Sequence, residues 1–194
     1  MGLQVVAPPS AEPIGLEDAK KQLRVSGEHE DAFILTLISV ARELVERDTC
    51  RQILTATFQY TMGEFPNATC FELPRPPLQS VDSIQYIDSD GATQTLPTDD
   101  YDIDLTVEPG VVYLKPDASW PDTQARTANS VQVNYTAGWS DSNAIPVTLL
   151  HGIRLAVAHL YEHREPVIAE RTIVPQEIPG LRNLITFNTV PFIA

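Results

Sequence analysis

The segment IPVTLLHGIRLAVAHLYEHREP at positions 145–166 constrains the fold more than any other part of this sequence. Pro146 suits the first turn of a helix, where its missing N–H costs nothing, and Pro166 ends the helical pattern. At about 100° per residue, one side of the predicted helix is apolar along its length. This apolar side comprises Leu149, Ile153, Ala156, Val157 and Leu160. A face of this width must be covered by another part of the chain.

A second long helix is predicted over residues 30–48. Its apolar stripe comprises Phe33, Leu37, Val40, Ala41 and Leu44, and Ile34, Ile38 and Val45 broaden it. Glu30 and Asp31 lie at the N-terminal end, where the helix dipole favours negative charge. Since the two stripes have similar widths, we expect this helix to pack against the helix at 145–166. A short helix is also predicted over residues 16–25.

Between the two long helices the hydrophobic period changes from that of a helix to that of a strand. Apolar and polar residues alternate over 54–62, 100–105 and 131–136, and shorter strands are predicted at 69–73, 80–88 and 110–115. Asp90-Gly91 has the composition of a hairpin turn. This pattern predicts an antiparallel β-barrel or sandwich inserted into a small helical bundle, which is an α+β fold.

We expect four parts along the chain: an extended N-terminal arm at 1–13, a helical core at 14–52 and 140–168, an inserted β domain at 53–139, and a C-terminal segment and tail at 169–194. The tail at 186–194 has no charged residue and contains Phe187, Val190, Phe192 and Ile193. Solvated termini are usually polar. The tail is therefore predicted to contact another chain, and to be mostly disordered in the free protein.

The charge balance restricts the classes of partner. The chain has 13 basic and 26 acidic residues, a formal net charge of −13 and a pI near 4.5. Binding to nucleic acid needs clustered Lys and Arg, so wrapping of DNA is not expected. The start of the chain lacks the pattern of a secretion signal, and no membrane span is predicted. Cys50 and Cys70 are expected to remain thiols in a reducing compartment.

One motif raises the alternative of a zinc metallohydrolase. His159, Glu162 and His163 form an H-x-x-E-H pattern, with two imidazoles one helical turn apart. A catalytic zinc site needs a third protein ligand. His151, the nearest candidate, lies about 80° from His159 and about 120° from His163 on the helical wheel. The divergence of these directions favours a structural or interface role for the histidines, and no metal, cofactor or enzyme activity is expected.

Several segments together resemble the head–tail connector proteins (adaptor or head-completion proteins) of long-tailed double-stranded DNA phages and gene transfer agents. They include LPRPPLQSV at 73–81, ASWP at 118–121, YTAG at 135–138 and AHLYE at 158–162. The other matching segments are residues 11–13, 16–20, 23–25, 90–91 and 164–165. Each is unspecific alone, but they follow the order of the family and together extend from about residue 3 to residue 185.

The resemblance implies a structural virion protein of the neck, assembled in the host cytoplasm as a homo-oligomeric ring expected to be twelve-fold. The ring would lie beneath the portal protein, receive a stopper or tail-completion protein, and let DNA pass without specific binding. Contacts with the portal or another partner are assigned, as a hypothesis, to Ile178, Leu181, Leu184, Ile185, Phe187, Val190, Phe192 and Ile193. The ring interface is assigned, also as a hypothesis, to Arg154, Glu162, His163, Arg164 and Glu165.

Overall fold

The structure is a computed structural model, and it describes residues 1–123, 129–163, 178 and 180–190. These residues form two compact units. The β unit comprises the described residues within Met1–Ser10, Cys50–Ser140 and Val190–Ala194. The helical unit comprises those within Ala11–Thr49 and Asp141–Thr189. Both units are therefore assembled from segments that are far apart in the sequence.

The helical unit contains four α-helices and two 3₁₀ turns among its described residues. The α-helices are α1 (Leu16–Leu23), α2 (Asp31–Thr49), α3 (Val147–Glu162) and α4 (Leu181–Ile185), and the 3₁₀ turns are Ser142–Ala144 and Thr186–Asn188. The predicted packing of the two long helices is confirmed, because α2 and α3 contact each other and α1 contacts both. No described helix combines the length and apolar character needed to cross a bilayer.

The buried face of α2 differs from the predicted stripe. Its buried apolar residues are Ile34, Leu37, Ile38, Ala41 and Val45. Val40, which was predicted to belong to the stripe, is 39% exposed. Arg42 and Glu46 are buried instead. Because α2 is apolar over more than half of its circumference, hydrophobic periodicity alone could not identify which part of that surface is covered.

The two buried ionic residues of α2 are accommodated by a network of charge-assisted hydrogen bonds. Arg42 Nε donates to Glu12 Oε2 at 2.8 Å, and Arg42 Nη1 donates to Glu46 Oε2 at 2.8 Å. Ser39 Oγ donates to the other oxygen of Glu12 at 2.8 Å. Burying a charge is costly unless it is paired and hydrogen-bonded. Glu12, which lies 30 positions before Arg42, therefore allows this face of α2 to enter the core.

The β unit contains eight strands in two antiparallel sheets. The strands are β1 (Gly2–Ala7), β2 (Ala56–Met62), β3 (Cys70–Leu73), β4 (Leu78–Ile87), β5 (Thr93–Thr95), β6 (Tyr101–Asp104), β7 (Gly110–Leu114) and β8 (Val131–Ala137). One sheet has the strand order β1-β2-β8-β4-β5, and the other has the order β3-β7-β6. The predicted α+β class is confirmed, but a barrel is not, because the larger sheet is open with β1 and β5 as its edges.

The core of the β unit is formed by the alternating apolar residues that the sequence predicted. In β2 and β8 every second residue is buried, including Phe58 and Tyr135, whose rings stack with centroids 5.4 Å apart. Buried residues of the smaller sheet, such as Phe71 and Val112, belong to the same apolar cluster. Residues 2–7, predicted as an extended arm outside the core, are extended and exposed, and they pair with β2 as β1.

Candidate partner-binding site

The C-terminal part of the helical unit folds back onto α3. Gly180 has φ +77°, a left-handed conformation that glycine adopts readily, and α4 begins at the next residue. Leu181 and Ile185, one turn apart on α4, are both 4% exposed. A Cβ atom placed on Gly152 of α3 would lie 3.1 Å from Leu181 Cδ1 and 3.3 Å from Ile185 Cγ2. The absence of a side chain at Gly152 therefore permits the close approach of α4.

A groove of about 710 Å³ lies in the helical unit beside α4. The last turns of α2 contribute Leu44, Arg47 and Asp48, and α3 contributes His159 and Leu160. The C-terminal segment completes the lining with Ile178, Leu181, Arg182, Ile185, Thr186 and Thr189. The lining thus combines leucine and isoleucine side chains with the ionic groups of Arg47, Asp48 and Arg182. A groove of this composition suits a protein segment that presents both apolar and polar side chains.

The structure divides the predicted partner-binding residues into three groups. Leu181, Ile185 and Val190 are buried, and Leu184 is half-buried. Ile178 lines the groove, and Phe187 is 95% exposed. Phe192 and Ile193 lie outside the described residues. Burial of Leu181 and Ile185 assigns them to the support of the site, because a side chain covered within its own chain cannot also be a free anchor for a partner.

Residues 186–190 belong to the tail that is predicted to be mostly disordered in the free chain, and the structure gives them a defined local conformation. Thr186–Asn188 form a 3₁₀ turn, and Thr189 Oγ1 donates to Ile185 O at 3.2 Å. Asn188 Nδ2 donates to Thr148 Oγ1 at 2.9 Å. These local hydrogen bonds compensate part of the entropy cost of ordering the segment. The prediction that the tail is disordered was based on its lack of charged residues, and that property gives no indication of these hydrogen bonds.

An exposed apolar pair flanks the hydrogen bond between Asn188 and Thr148. Phe187 is 95% exposed, and Val147, at the first turn of α3, is 76% exposed. Scattered exposed apolar residues are common on proteins, but an aromatic ring that makes so little contact with its own chain is available to another molecule. Phe187 is thus the one residue of the predicted partner-binding set that the described structure leaves prominently accessible.

The predicted ring-interface residues are polar and accessible where the structure describes them. Arg154 is half-buried, and Glu162 and His163 are exposed. Arg164 and Glu165 lie outside the described residues. α3 ends at Glu162, and the His163 N–H donates to His159 O at 3.0 Å. This assignment of the ring interface stays a prediction.

The two histidines of the H-x-x-E-H motif are close together. The ring centroids of His159 and His163 lie 4.6 Å apart. Burial and the neighbouring His163 both lower the pKa of His159 from its ordinary 6.5, while Glu162 raises it. Within the part of the chain that the structure describes, no cluster of three or more His, Cys, Asp or Glu side chains could hold a metal. The two imidazoles alone would provide only two of the three protein ligands that a catalytic zinc site requires.

The sequence predicted that Phe187 is accessible, but it did not predict that α4 packs against α3 at Gly152. The signal for α4 was weak, since the helix has only five residues and its N-cap side chain is absent. Gly152 was visible as a small residue beside the apolar stripe of α3. A glycine inside a helix costs about 1 kcal/mol relative to alanine, so its position indicates that another element approaches closely there.

Comparison with known proteins gives a family match over part of the chain. Residues 13–87 match the profile of the phage gp6-like head–tail connector protein family. The predicted resemblance is therefore confirmed, and the direct sequence match extends from α1 to the end of β4. The match to a connector family supports a structural, non-enzymatic protein. A search among curated proteins gave no significant match.

Solved structures with the same fold come from gene transfer agent particles. A chain in the neck of an empty particle, computed with C6 symmetry, has a TM-score of 0.82 and 20% identity. A chain from the virion of a native gene transfer agent particle has a TM-score of 0.79 and 20% identity. A chain in a native neck computed with C12 symmetry has a TM-score of 0.75 and 22% identity. Each alignment covers 100% of this chain and 98% of the other.

Proposed function

We propose that this protein is a head–tail adaptor of a virion neck, assembled as a ring beneath the portal protein. The observation that carries the proposal is the agreement of two independent comparisons. A connector-family match covers α1 to β4, and the fold of the whole chain is shared with proteins from gene transfer agent particles. Relatives in necks computed with C6 and C12 symmetry support a ring, and twelve copies are compatible with both symmetries.

The C-terminal part of the helical unit is the proposed portal-binding site. Phe187 would act as an apolar anchor, and its full burial would contribute about 1.5–3 kcal/mol. The groove beside α4 would accept a segment of the partner, since it combines apolar residues such as Leu160 with the ionic groups of Arg47 and Arg182. Leu181 and Ile185 would hold α4 in place. In a ring, several weak contacts of this kind reinforce one another because each is held near its site.

The acidic composition supports the proposed role in DNA passage. A chain with a net charge of −13 repels phosphate, so a ring of such chains would extend the portal channel without holding the duplex. The opposite end of the ring would receive a stopper or tail-completion protein. We expect no duplex binding at physiological salt, and a gel-shift titration checks this expectation.

The proposed function is tested by mixing the purified chain with portal protein from the same particle. Native mass spectrometry should show about twelve copies bound per portal ring, as a twelve-fold adaptor requires. Phe187→Ser should weaken binding by about one order of magnitude or more, which is the loss of a buried apolar anchor. Leu35→Ser is the matched control, because Leu35 is 47% exposed on α2 and lies outside the proposed site.

Wild-type protein that does not bind portal at all would contradict the adaptor role. Equal losses of binding in Phe187→Ser and Leu35→Ser would contradict the proposed site but not the function. Heads assembled with Phe187→Ser should retain less DNA and join fewer tails, which negative-stain microscopy can count.

A further inference from the structure

The outer face of the five-stranded sheet has an unusual composition for so acidic a protein. In β2 the residues that point away from the core are Thr57, Gln59 and Thr61, and in β8 they are Gln132, Asn134 and Thr136. Strand register places these six residues opposite one another in pairs across the two central strands. All six are half-exposed, and none is charged. We call these six residues the amide face.

The whole five-stranded sheet is nearly free of charged residues. Asp82 in β4 is the only charged residue in its five strands, and its carboxylate accepts hydrogen bonds from Ser80 and Thr136. The smaller sheet differs, since β3 contains Glu72 and β6 contains Asp102 and Asp104. Charged residues normally cover the solvent face of an antiparallel sheet and keep it soluble. The amide face lacks this protection.

The side chains of the amide face are held in a defined arrangement by hydrogen bonds to one another. Gln59 Nε2 donates to Asn134 Oδ1 at 3.2 Å and to Gln132 Oε1 at 3.4 Å. Asn134 Nδ2 donates to Ser83 Oγ of β4 at 3.1 Å. Each amide has two N–H donors and one oxygen with two lone pairs. The ladder therefore orders the face while leaving hydrogen-bonding capacity for a second surface.

The edge strand β1, which pairs with β2, also lacks charged residues. Gln4 of β1 pairs in register with Gln59, which places it beside the amide face. β1 has six exposed residues without a charge, including Leu3, Val5 and Val6. Natural proteins usually protect an edge of this length with lysines or prolines within the strand, because an open edge invites association. Gln4 therefore extends the amide face to the edge of the sheet, and the open edge of β1 adjoins it.

We propose that the amide face is a surface, additional to the predicted ring-interface residues such as Glu162 and His163, through which one copy of this chain contacts the next copy in the ring. Each copy has a net charge of −13, so placing copies side by side brings like charges together. Like-charge juxtaposition at an interface is strongly unfavourable. None of the six residues of the amide face is charged, so contact through this face avoids placing like charges together. The lack of Lys and Arg on this face argues against nucleic acid as the occupant. This inference rests on the proposed ring.

The test introduces one negative charge at the centre of the amide face. Gln59→Glu is nearly isosteric, and Thr98→Glu adds the same charge at an exposed loop position of the β unit. Thr61→Glu provides a second variant on the face if Gln59→Glu lowers the melting temperature. Each variant is mixed with portal protein at less than saturating amounts, and native mass spectrometry gives the number of copies bound to each portal ring.

Contact between neighbouring copies makes binding to the portal cooperative. In mixtures with the wild-type chain, each portal ring should therefore be either empty or fully decorated. Gln59→Glu should weaken addition of the neighbouring copy about tenfold or more and produce partly decorated portals, whereas Thr98→Glu should resemble wild type. A cooperative Gln59→Glu variant would overturn the amide-face proposal and leave the adaptor role intact. Cooperative rings that fail only to join tails would also overturn it, since the face would then contact another neck protein. Wild-type protein that does not bind portals would refute the adaptor role itself.

Discussion

The polar groups within the cores of the two units differ in chemical form. The helical unit encloses ions: the Arg42 guanidinium lies between the carboxylates of Glu12 and Glu46, and Lys20 donates to Asp31 at 2.8 Å. The apolar cluster of the β unit encloses a neutral hydroxyl, since the buried Tyr135 O–H donates to Pro74 O at 2.8 Å. The buried Arg51 of this unit, which pairs with Glu108, lies outside that cluster. Removing one member of a buried ion pair leaves an uncompensated charge. Removing a neutral hydroxyl leaves only an unused acceptor.

This difference predicts that substitution of Arg42 destabilises the helical unit more than substitution of Tyr135 destabilises the β unit. The two tryptophans of the chain, Trp120 and Trp139, both lie in the β unit. Tryptophan fluorescence therefore reports on the β unit, and circular dichroism at the helical wavelength reports mainly on the helical unit. Denaturation followed by both signals therefore distinguishes the stabilities of the two units.

The largest effect should follow an unpaired charge in the helical core. Ile38 is 0% exposed on α2, so Ile38→Asp should abolish the native helical signal or lower the midpoint of denaturation severely. Val40→Asp on the same helix should change the free energy of unfolding by only about 0.5 kcal/mol, because Val40 is 39% exposed. Equal sensitivity at the two positions would mean that α2 is covered on the face predicted from periodicity.

A large but partial effect is expected from breaking the buried ion pairs. Arg42→Leu leaves the carboxylates of Glu12 and Glu46 without their cation, and should destabilise the helical unit by about 3–5 kcal/mol. The control is Arg47→Leu, one turn further along α2, where the pair with Asp48 is exposed. Loss of such a pair should cost about 1 kcal/mol or less. Urea denaturation followed by circular dichroism gives both values.

The contrast between Ile38 and Val40 also shows how far the sequence could predict this fold. The two long helices and the alternating strands were predictable, because both follow from local hydrophobic periodicity. The buried face of α2 was not, since it depends on Glu12 reaching Arg42 from 30 positions away. The pairing of β1 with β2 joins residues nearly 60 positions apart, as in Gly2 with Thr61. Periodicity contains no information about such partners.

The candidate site was predictable in part for the same reason. Phe187 was identified correctly as an apolar residue without a place in the chain's own core, because a charge-free tail is unusual. Leu181 and Ile185 looked equally available in the sequence, but both pack against α3 at Gly152. The amide face was overlooked because a single polar residue in an alternating strand is ordinary. Only the sheet order brings six such residues together on one surface.

A smaller effect is expected from the neutral hydroxyl in the β unit. Tyr135→Phe removes the hydrogen bond to Pro74 and should cost about 0.5–1.5 kcal/mol at neutral pH. Burial raises the pKa of Tyr135 above its ordinary 10.0. The protonated hydroxyl thus contributes fully below pH 10.0, and the contribution is lost as pH rises above that value, because the unfolded chain releases the proton more readily.

Tyr135→Phe should accordingly be less sensitive to alkali than wild type. The midpoint of urea denaturation, followed by tryptophan fluorescence, should fall less between neutral pH and pH about 11 in the variant. Burial also raises the pKa values of Tyr60 and Tyr101, so the alkaline loss should be reduced and not abolished. Parallel profiles for the variant and wild type would show that Tyr135 does not titrate between the folded and unfolded chains.

The smallest effect lies in the helical unit and has the opposite dependence on pH. The pKa of His159 is lowered from its ordinary 6.5, first by burial and then by His163, so folding favours the neutral imidazole. Its contribution to stability is present above pH 6.5 and is lost as pH falls through the lower pKa of the folded chain. His159→Gln should therefore show a smaller fall in the midpoint of denaturation between neutral pH and mild acid. His151→Gln is the control, since His151 is exposed on the same helix.

Because His159 lines the groove beside α4, portal binding should weaken over the same pH range in wild type and less in His159→Gln. An identical acid response of His159→Gln and wild type would place the acid-sensitive group of the helical unit elsewhere.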